Sequence, residues 1–406
     1  MKKIRMCGPN RNLLYIGLQA LHLMIYCVLV NYAGTVLQGI GYSNKEIGLI
    51  LSLGNLFGFF LQYGGAAVGD RAKKIRPIGV MAVGFCMTGV LMLFLMVINR
   101  RCISYTVIYI LAMAFISMLI PLIYAYSEYL QEQGTVVHFS VARGSASVSF
   151  AIMSAVSGRI YIAGGLLPIY CIAMGIIVLV LIILYLFSIE TTVREEQKAL
   201  QINNLVKQKD LINIKDSDKV GAIEFAKSYT PFCWYLAGTF IIYCGTSFLQ
   251  NFMIQAVEYL GGGSEQMGDI FSVGALVEII FFFSYEKIRK KAAPKLLMKV
   301  SLMFYVLQGV LLVFAKTPEM LFLAYFVQAP AVGILIPAAT DYILEDMDFR
   351  YVNRAQALFN GINLISRIFS AYFGGVLLVK AGVPGMFLLQ AIISILGMGI
   401  VLCGFH

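Results

Sequence analysis

Twelve long apolar runs, bounded by charged residues, glycine or proline, constrain this 406-residue chain more than any other feature. A helix needs about 20 apolar residues to cross a hydrocarbon core about 30 Å thick. The runs lack the alternation of a transmembrane β-strand, and backbone groups in lipid must be bonded within their own segment, so helices are predicted. The predicted spans are residues 13–40, 46–68, 78–98, 103–127, 139–162, 166–188, 231–258, 266–284, 296–315, 320–343, 353–379 and 383–403.

The composition excludes a water-soluble globule. Hydrophobic residues make up 60% of the chain and charged residues 13%, whereas soluble domains hold about 45–50% and about 25%. The net charge of +10 comes from short Lys and Arg runs between spans, which is how orientation signals are placed, so nucleic acid is not an expected partner. One set of connections and termini holds 22 basic residues and the opposite set 6. We therefore expect a multi-pass protein of the inner (cytoplasmic) membrane, with the lipid bilayer around it and both termini in the cytoplasm.

The sequence contains no set of residues typical of catalysis or metal binding. The eight cysteines are scattered through apolar stretches without a CxxC pair, so they are interpreted as small packing residues. No Ser-His-Asp set, His and Asp cluster or phosphate loop is present. We expect neither an enzyme, nor a cofactor, nor a bound metal.

An internal repeat divides the chain into two parts. A shift of 220 residues places 43–54 on 263–274, with Gly48 on Gly268. A shift of 217 places Gly158 on Gly375. The repeated unit is therefore six spans, as in many transporters. We predict an all-α membrane protein with twelve transmembrane helices in two pseudo-symmetric bundles, residues 1–188 and 231–406, joined by a charged cytoplasmic linker, residues 189–230.

The same repeat pairs two polar stripes. The shift of 220 sets Asn31, Thr35 and Gln38 of the first span on Asn251, Gln255 and Glu258 of the seventh. Each trio has i, i+4, i+7 spacing, which places its members on one face of a continuous helix. Such stripes on apolar helices are typical of a water-filled cavity.

The end of span two carries a recognisable motif. Residues 64–74 read GGAAVGDRAKK, which resembles the signature loop between helices two and three of the major facilitator superfamily. That resemblance implies a twelve-helix transporter in which Asp70 and Arg71 form a gating contact that breaks when the two bundles rock.

Within the superfamily, the chain is similar to the branch that contains lactose permease and the nucleoside and oligosaccharide proton symporters. Residues 143–150, RGSASVSF, resemble a span-five motif of that branch. The resemblance implies that Arg143 binds substrate and that Phe150 replaces the Trp that stacks on sugar in that branch. Arg367 falls where lactose permease has a span-eleven Lys, and Tyr325 and Gln328 fall at its proton-relay positions. That relay is therefore not preserved.

Charges in the middle of spans point to function because inserting one costs about 2.5–3.5 kcal/mol. Glu278 lies deep in span eight, so it is either a proton carrier or half of a static ion pair with Arg367. We assign proton coupling to Glu278 and Glu258. The predicted substrate-binding residues are Asn31, Gln38, Arg143, Phe150, Asn251, Gln255, Asn363 and Arg367.

The function predicted from these features is proton-coupled uptake, by a monomer, of a small polar organic solute such as a sugar or oligosaccharide, a nucleoside or an aromatic acid. A drug or metabolite efflux antiporter is the alternative within transport. It is disfavoured because span five lacks the Gly-Pro pair of that family. A non-transporting membrane sensor or scaffold is the alternative of another class, but it leaves the mid-span charges without a use.

Overall fold

The computed structural model describes residues 10–71, 77–133, 135–202 and 222–405, and every regular element within those ranges is helical. Span one consists of α1 (Arg11–Tyr26), a π-helical turn (Cys27–Asn31) and α2 (Ala33–Gly39). Spans two to six are α3 (Asn44–Arg71), α4 (Pro77–Ile98), α5 (Ile103–Glu132), α6 (Phe139–Gly164) and α7 (Leu166–Ile202).

The second set of spans repeats this order. The short α8 (Ala222–Ser228) precedes span seven, which consists of α9 (Thr230–Asn251) and α10 (Met253–Tyr259). Spans eight to ten are α11 (Ser264–Arg289), α12 (Pro294–Val313) and α13 (Pro318–Asp346). Spans eleven and twelve form α14 (Phe349–Gly404), which breaks at Gly382, where φ is +65°.

The helices confirm the predicted fold class. Among the described residues, ten helices are long and apolar enough to cross a membrane. One of them is α14, which holds two spans because of its break, and α3 supplies a further apolar helix. The structure is therefore the predicted multi-pass bundle of twelve spans. Spans one to six are called the N-terminal half below, and spans seven to twelve the C-terminal half.

The first and seventh spans are broken at equivalent positions, which the sequence did not predict. The π-helical turn of span one ends at Asn31, and Tyr32 leaves helical geometry at φ −87° and ψ 4°. Span seven breaks at Phe252, where φ is −122° and ψ 32°. The two breaks are 220 residues apart, which is the shift of the repeat. Because a break changes the angular register, residues on its two sides do not share the single face that continuous helices would give.

The two halves meet at one face of the bundle, which holds residues 40–43, 99–102, 260–263 and 314–317. It is called the outer face below because the distribution of basic residues predicts that it lies outside. One buried core joins the N-terminal half to outer segments of the C-terminal half, among them Phe252, Met267 and Leu321. A separate core, including Phe232 and Tyr342, fills the predicted cytoplasmic part of the C-terminal half. The structure is therefore packed shut between the halves on the outer side.

Glycines allow this close packing at two crossings. Span two meets span eleven where a Cβ on Gly48 would lie 3.0 Å from the Cα of Gly375. Span five meets span eight where a Cβ on Gly158 would lie 2.9 Å from the Cα of Glu265. Small residues let helix backbones approach in membranes, where the packing itself drives association. Both crossings join the halves near the outer face.

Candidate functional site

A cavity of about 290 Å³ lies between the two halves. Spans one and five of the N-terminal half and spans seven to eleven of the C-terminal half contribute its walls. The predicted site residues that the structure brings together here are Asn31, Arg143, Phe150, Glu278, Asn363 and Arg367.

Arg143 and Glu278 form a charged couple across the cavity. Arg143 lies on α6 and Glu278 on α11, and both are half-buried. The Nη1 of Arg143 donates to the Oγ of Ser147, at 3.0 Å. Glu278 forms no direct ion pair or hydrogen bond among the described residues, and Arg143 is the cation that acts on it electrostatically. Glu278 therefore lines the cavity without a direct bond to a described residue that would fix its carboxyl group.

Arg367, in contrast, makes a direct contact between the halves. Its Nη1 on span eleven donates to the hydroxyl oxygen of Tyr26 on span one, at 2.7 Å. The ion pair with Glu278 that the sequence left open is therefore not formed in this structure. Asn363, one turn before Arg367, is exposed and lines the cavity together with Tyr243.

Aromatic side chains form much of the C-terminal wall. Phe271 and Tyr325 pack edge to face, with ring centroids 5.7 Å apart. Tyr243 and Tyr305 do the same at 6.0 Å. On the side of the N-terminal half, Phe150 adds another ring. A cavity with aromatic walls and a few polar groups is the usual form of a site for a small organic molecule.

The remaining predicted residues lie nearer the outer face. Gln38 and Glu258 line a second cavity of about 240 Å³. The Nε2 of Gln38 donates to the Oε2 of Glu258 at 2.7 Å, and the Nε2 of Gln255 donates to the Oε1 of Gln38 at 3.2 Å. Asn251 donates to the hydroxyl oxygen of Ser370, at 3.2 Å. The helix breaks thus separate the two polar stripes: of the residues assigned to the site, Asn31 faces the central cavity, whereas Gln38, Gln255 and Glu258 join the halves outside it.

An ion cluster joins the two halves near the outer face. The guanidinium of Arg159, at the outer end of span five, binds both oxygens of Asp269 on span eight, at 2.7 and 3.0 Å. The Nε of Arg159 also lies 3.3 Å from the Oε1 of Glu265. From the sequence, Arg159 was counted only as a basic residue near a loop, because nothing along the chain shows that Asp269 and Glu265 are its partners.

Other lining residues were also missed. Tyr26, Tyr243 and Tyr305 belong to the site, but in a chain with 23 tyrosines their residue type gives no signal of position. The side chains of Asp70 and Arg71, which were assigned to gating, lie outside the described residues.

Comparisons with known proteins agree with this architecture. The profile of the MFS_1 like family matches residues 15–389. An uncharacterised transporter of Bacillus subtilis strain 168, YwbF, is 25% identical over 374 residues, which are 89% of this chain and 84% of the relative.

Solved structures share the fold at low sequence identity. The nucleoside transporter NupG, in the form of a point mutant, has a TM-score of 0.74 at 13% identity and covers 97% of this chain and 100% of its own. A POT family transporter in complex with a thioalcohol-conjugated peptide has a TM-score of 0.68 at 11% identity, covering 96% and 95%. The profile match, which extends over most of the spans and the central cavity, shows that the chain belongs to the MFS_1 like family and is a membrane transporter of the major facilitator superfamily.

Proposed function

We propose that this protein is a proton-coupled symporter that takes up a small polar organic solute by alternating access. The observation that carries the proposal is the couple of Arg143 and Glu278. The two side chains belong to opposite halves, line the same cavity and are not locked together by a direct bond. A carboxyl group and a guanidinium placed in this way provide one site for a proton and one for a solute.

The coupling follows from the charges. When Glu278 is ionised, its carboxylate competes with the solute for Arg143. When Glu278 carries a proton, Arg143 is left with an unbalanced positive charge, which favours binding of an acceptor-bearing solute. If the halves rocked with only the proton or only the solute bound, a charge in the site would be buried without compensation, which costs free energy. Proton and solute are therefore expected to cross together.

The gates are consistent with this cycle. We place the protein in the inner membrane, with both termini in the cytoplasm. In that orientation the sealed side faces outward. Several hydrogen bonds and ion pairs that join the halves lie at the cavity or nearer the outer face, including Arg159 with Asp269 and Gln38 with Glu258. Rocking of the bundles 1–188 and 231–406 about the cavity would open that side, with residues 189–230 as the connection, in a protein that works as a monomer.

The cavity limits the solute to a small molecule. Ligand pockets usually measure about 300–1,000 Å³, so a volume of about 290 Å³ suits a monosaccharide, a nucleoside or an aromatic acid better than an oligosaccharide. Two arginines against one glutamate favour a solute that is anionic or rich in hydrogen-bond acceptors.

The test replaces Glu278 by Gln, which keeps the shape of the side chain and removes its titration. In proteoliposomes, the Glu278→Gln variant should lose proton-driven accumulation of the solute and keep solute exchange. Glu286→Gln is the matched control, because Glu286 lies on the same helix but is exposed and does not line the cavity. Accumulation that survives in Glu278→Gln would reject the assignment of the proton site.

A further inference from the structure

Three glutamines form a buried chain behind the cavity wall. Gln390 on span twelve, Gln308 on span nine and Gln328 on span ten are 0%, 1% and 6% exposed. The Nε2 of Gln308 donates to the Oε1 of Gln328 at 2.8 Å, and the Nε2 of Gln390 donates to the Oε1 of Gln308 at 3.5 Å. Of the three, Gln328 is the one that lines the central cavity.

The chain has a direction that sets what Gln328 can offer. An amide has an oxygen that only accepts hydrogen bonds and a nitrogen that only donates them, and the oxygen of Gln328 is directed at Gln308, from which it accepts. The nitrogen of Gln328 carries the donor hydrogens that remain for the cavity side. Because an unpaired buried amide is costly, Gln308 and Gln390 hold Gln328 against rotation.

A second polar group on the same wall lacks a partner. The hydroxyl of Tyr325 is buried and has no hydrogen-bond partner among the described residues, although Tyr325 lines the cavity. Tyr325 lies three residues before Gln328, so both side chains share one face of α13. The Tyr325 ring is held close to span eight, since a Cβ on Gly274 would lie 3.0 Å from its Cδ1. Buried polar groups normally have hydrogen-bond partners, so we expect a ligand to bond this hydroxyl.

We infer that Gln328 and Tyr325 form the recognition edge of the solute site, which donates hydrogen bonds to an acceptor edge of a planar ring, and that Gln308 and Gln390 position it. The inference rests on the proposed transport of a small solute and adds the chemistry of that solute. The rings of Phe271, Tyr305 and Tyr325 supply flat apolar surfaces beside this edge. A ring carbonyl is therefore preferred over a ring amine at the position that meets Gln328.

Uridine and cytidine are the probes, because the two nucleosides are similar in size and differ in one edge of the ring. Uridine has a carbonyl group where cytidine has an amino group. Dissociation constants are measured by thermal-shift titration of the purified protein in nanodiscs without a proton gradient. Wild-type protein should bind uridine about tenfold more tightly than cytidine, as expected when a site must leave polar groups unpaired to accept the wrong edge.

Gln308→Met tests the positioning role, because methionine fills a similar volume and supports no amide chain. The ratio of the two dissociation constants should then fall to within about twofold of one, since Gln328 is free to rotate. Ser301→Ala is the control. Ser301 is buried on the same helix, and its hydroxyl donates to the backbone carbonyl oxygen of Leu297, one turn earlier. If Gln308→Met does not fold, Gln390→Met removes the far link of the chain and should lower the ratio in the same direction.

Each outcome separates the alternatives. If Gln308→Met weakens the binding of both nucleosides equally, Gln308 has only a packing role, and the inference fails. It also fails if wild-type protein binds neither nucleoside or prefers cytidine. Because the titration uses no gradient, a loss of proton coupling would leave the ratio unchanged, so failure of the symport proposal is detected separately.

Discussion

Replacement of Gly48 by valine is predicted to open the outer side of the protein. A Cβ at this position would lie 2.5 Å from the carbonyl oxygen of Ala371 and 3.0 Å from the Cα of Gly375. Both neighbours are backbone atoms of span eleven, so no side-chain rotation relieves the overlap. Ordinary van der Waals contact begins at 3.4 Å, so spans two and eleven must separate by about 1 Å.

The magnitude follows from the packing. Overpacking of a close contact costs about 1–3 kcal/mol, and the cost falls only on the state in which these helices touch. A central value of about 2 kcal/mol shifts the ratio of outer-closed to outer-open protein roughly thirty-fold toward the open state.

The assay is labelling of a cysteine reporter at Asn31, which faces the central cavity beneath the sealed outer side. In right-side-out vesicles, and in a background without the eight native cysteines, an impermeant maleimide should label the reporter much faster when Gly48→Val is present. Gly175→Val is the matched control, since a Cβ at Gly175 meets nothing within 4 Å. Equal labelling rates in both variants and in the parent would refute the proposed role of this crossing.

Two further predictions concern the polar contacts between the halves. Asp269→Asn should speed labelling of the same Asn31 reporter, because Arg159 loses a bidentate charged partner, and added salt should have less effect on the variant than on the parent; equal salt dependence would contradict this. Tyr26→Phe should weaken the contact that ties Arg367 to span one and raise the rate of solute exchange in proteoliposomes, whereas an unchanged rate would indicate that this hydrogen bond does not limit the movement of the halves.

The sequence predicted the spans well because a membrane helix is recognised from hydropathy and length alone. The repeat relates Gly48 to Gly268 and Gly158 to Gly375, and the structure places all four at the crossings of spans two with eleven and five with eight, although a packing role for these glycines was not predicted. Hydropathy and repeat symmetry act along the chain, so one sequence reveals them.

The site was predicted only in part. Glu278 and Arg367 were found because a charge in the middle of an apolar span stands out, and Arg143 was found because residues 143–150 resemble a known motif. The breaks at Tyr32 and Phe252 were not found, because no proline marks them and tertiary packing decides where a helix opens. The partners of these charges were also hidden, since contacts such as Arg367 with Tyr26 join residues that are distant along the chain.

The most direct test of the central claim is the movement of protons with solute in proteoliposomes that have no imposed gradient. Uridine, glucose and benzoate are added in turn to the outside, while external pH and solute uptake are recorded together. We predict that a solute that enters also alkalinises the outside, and that Glu278→Gln abolishes this pH change. Uptake by the wild-type protein without any change in external pH would contradict proton-coupled symport.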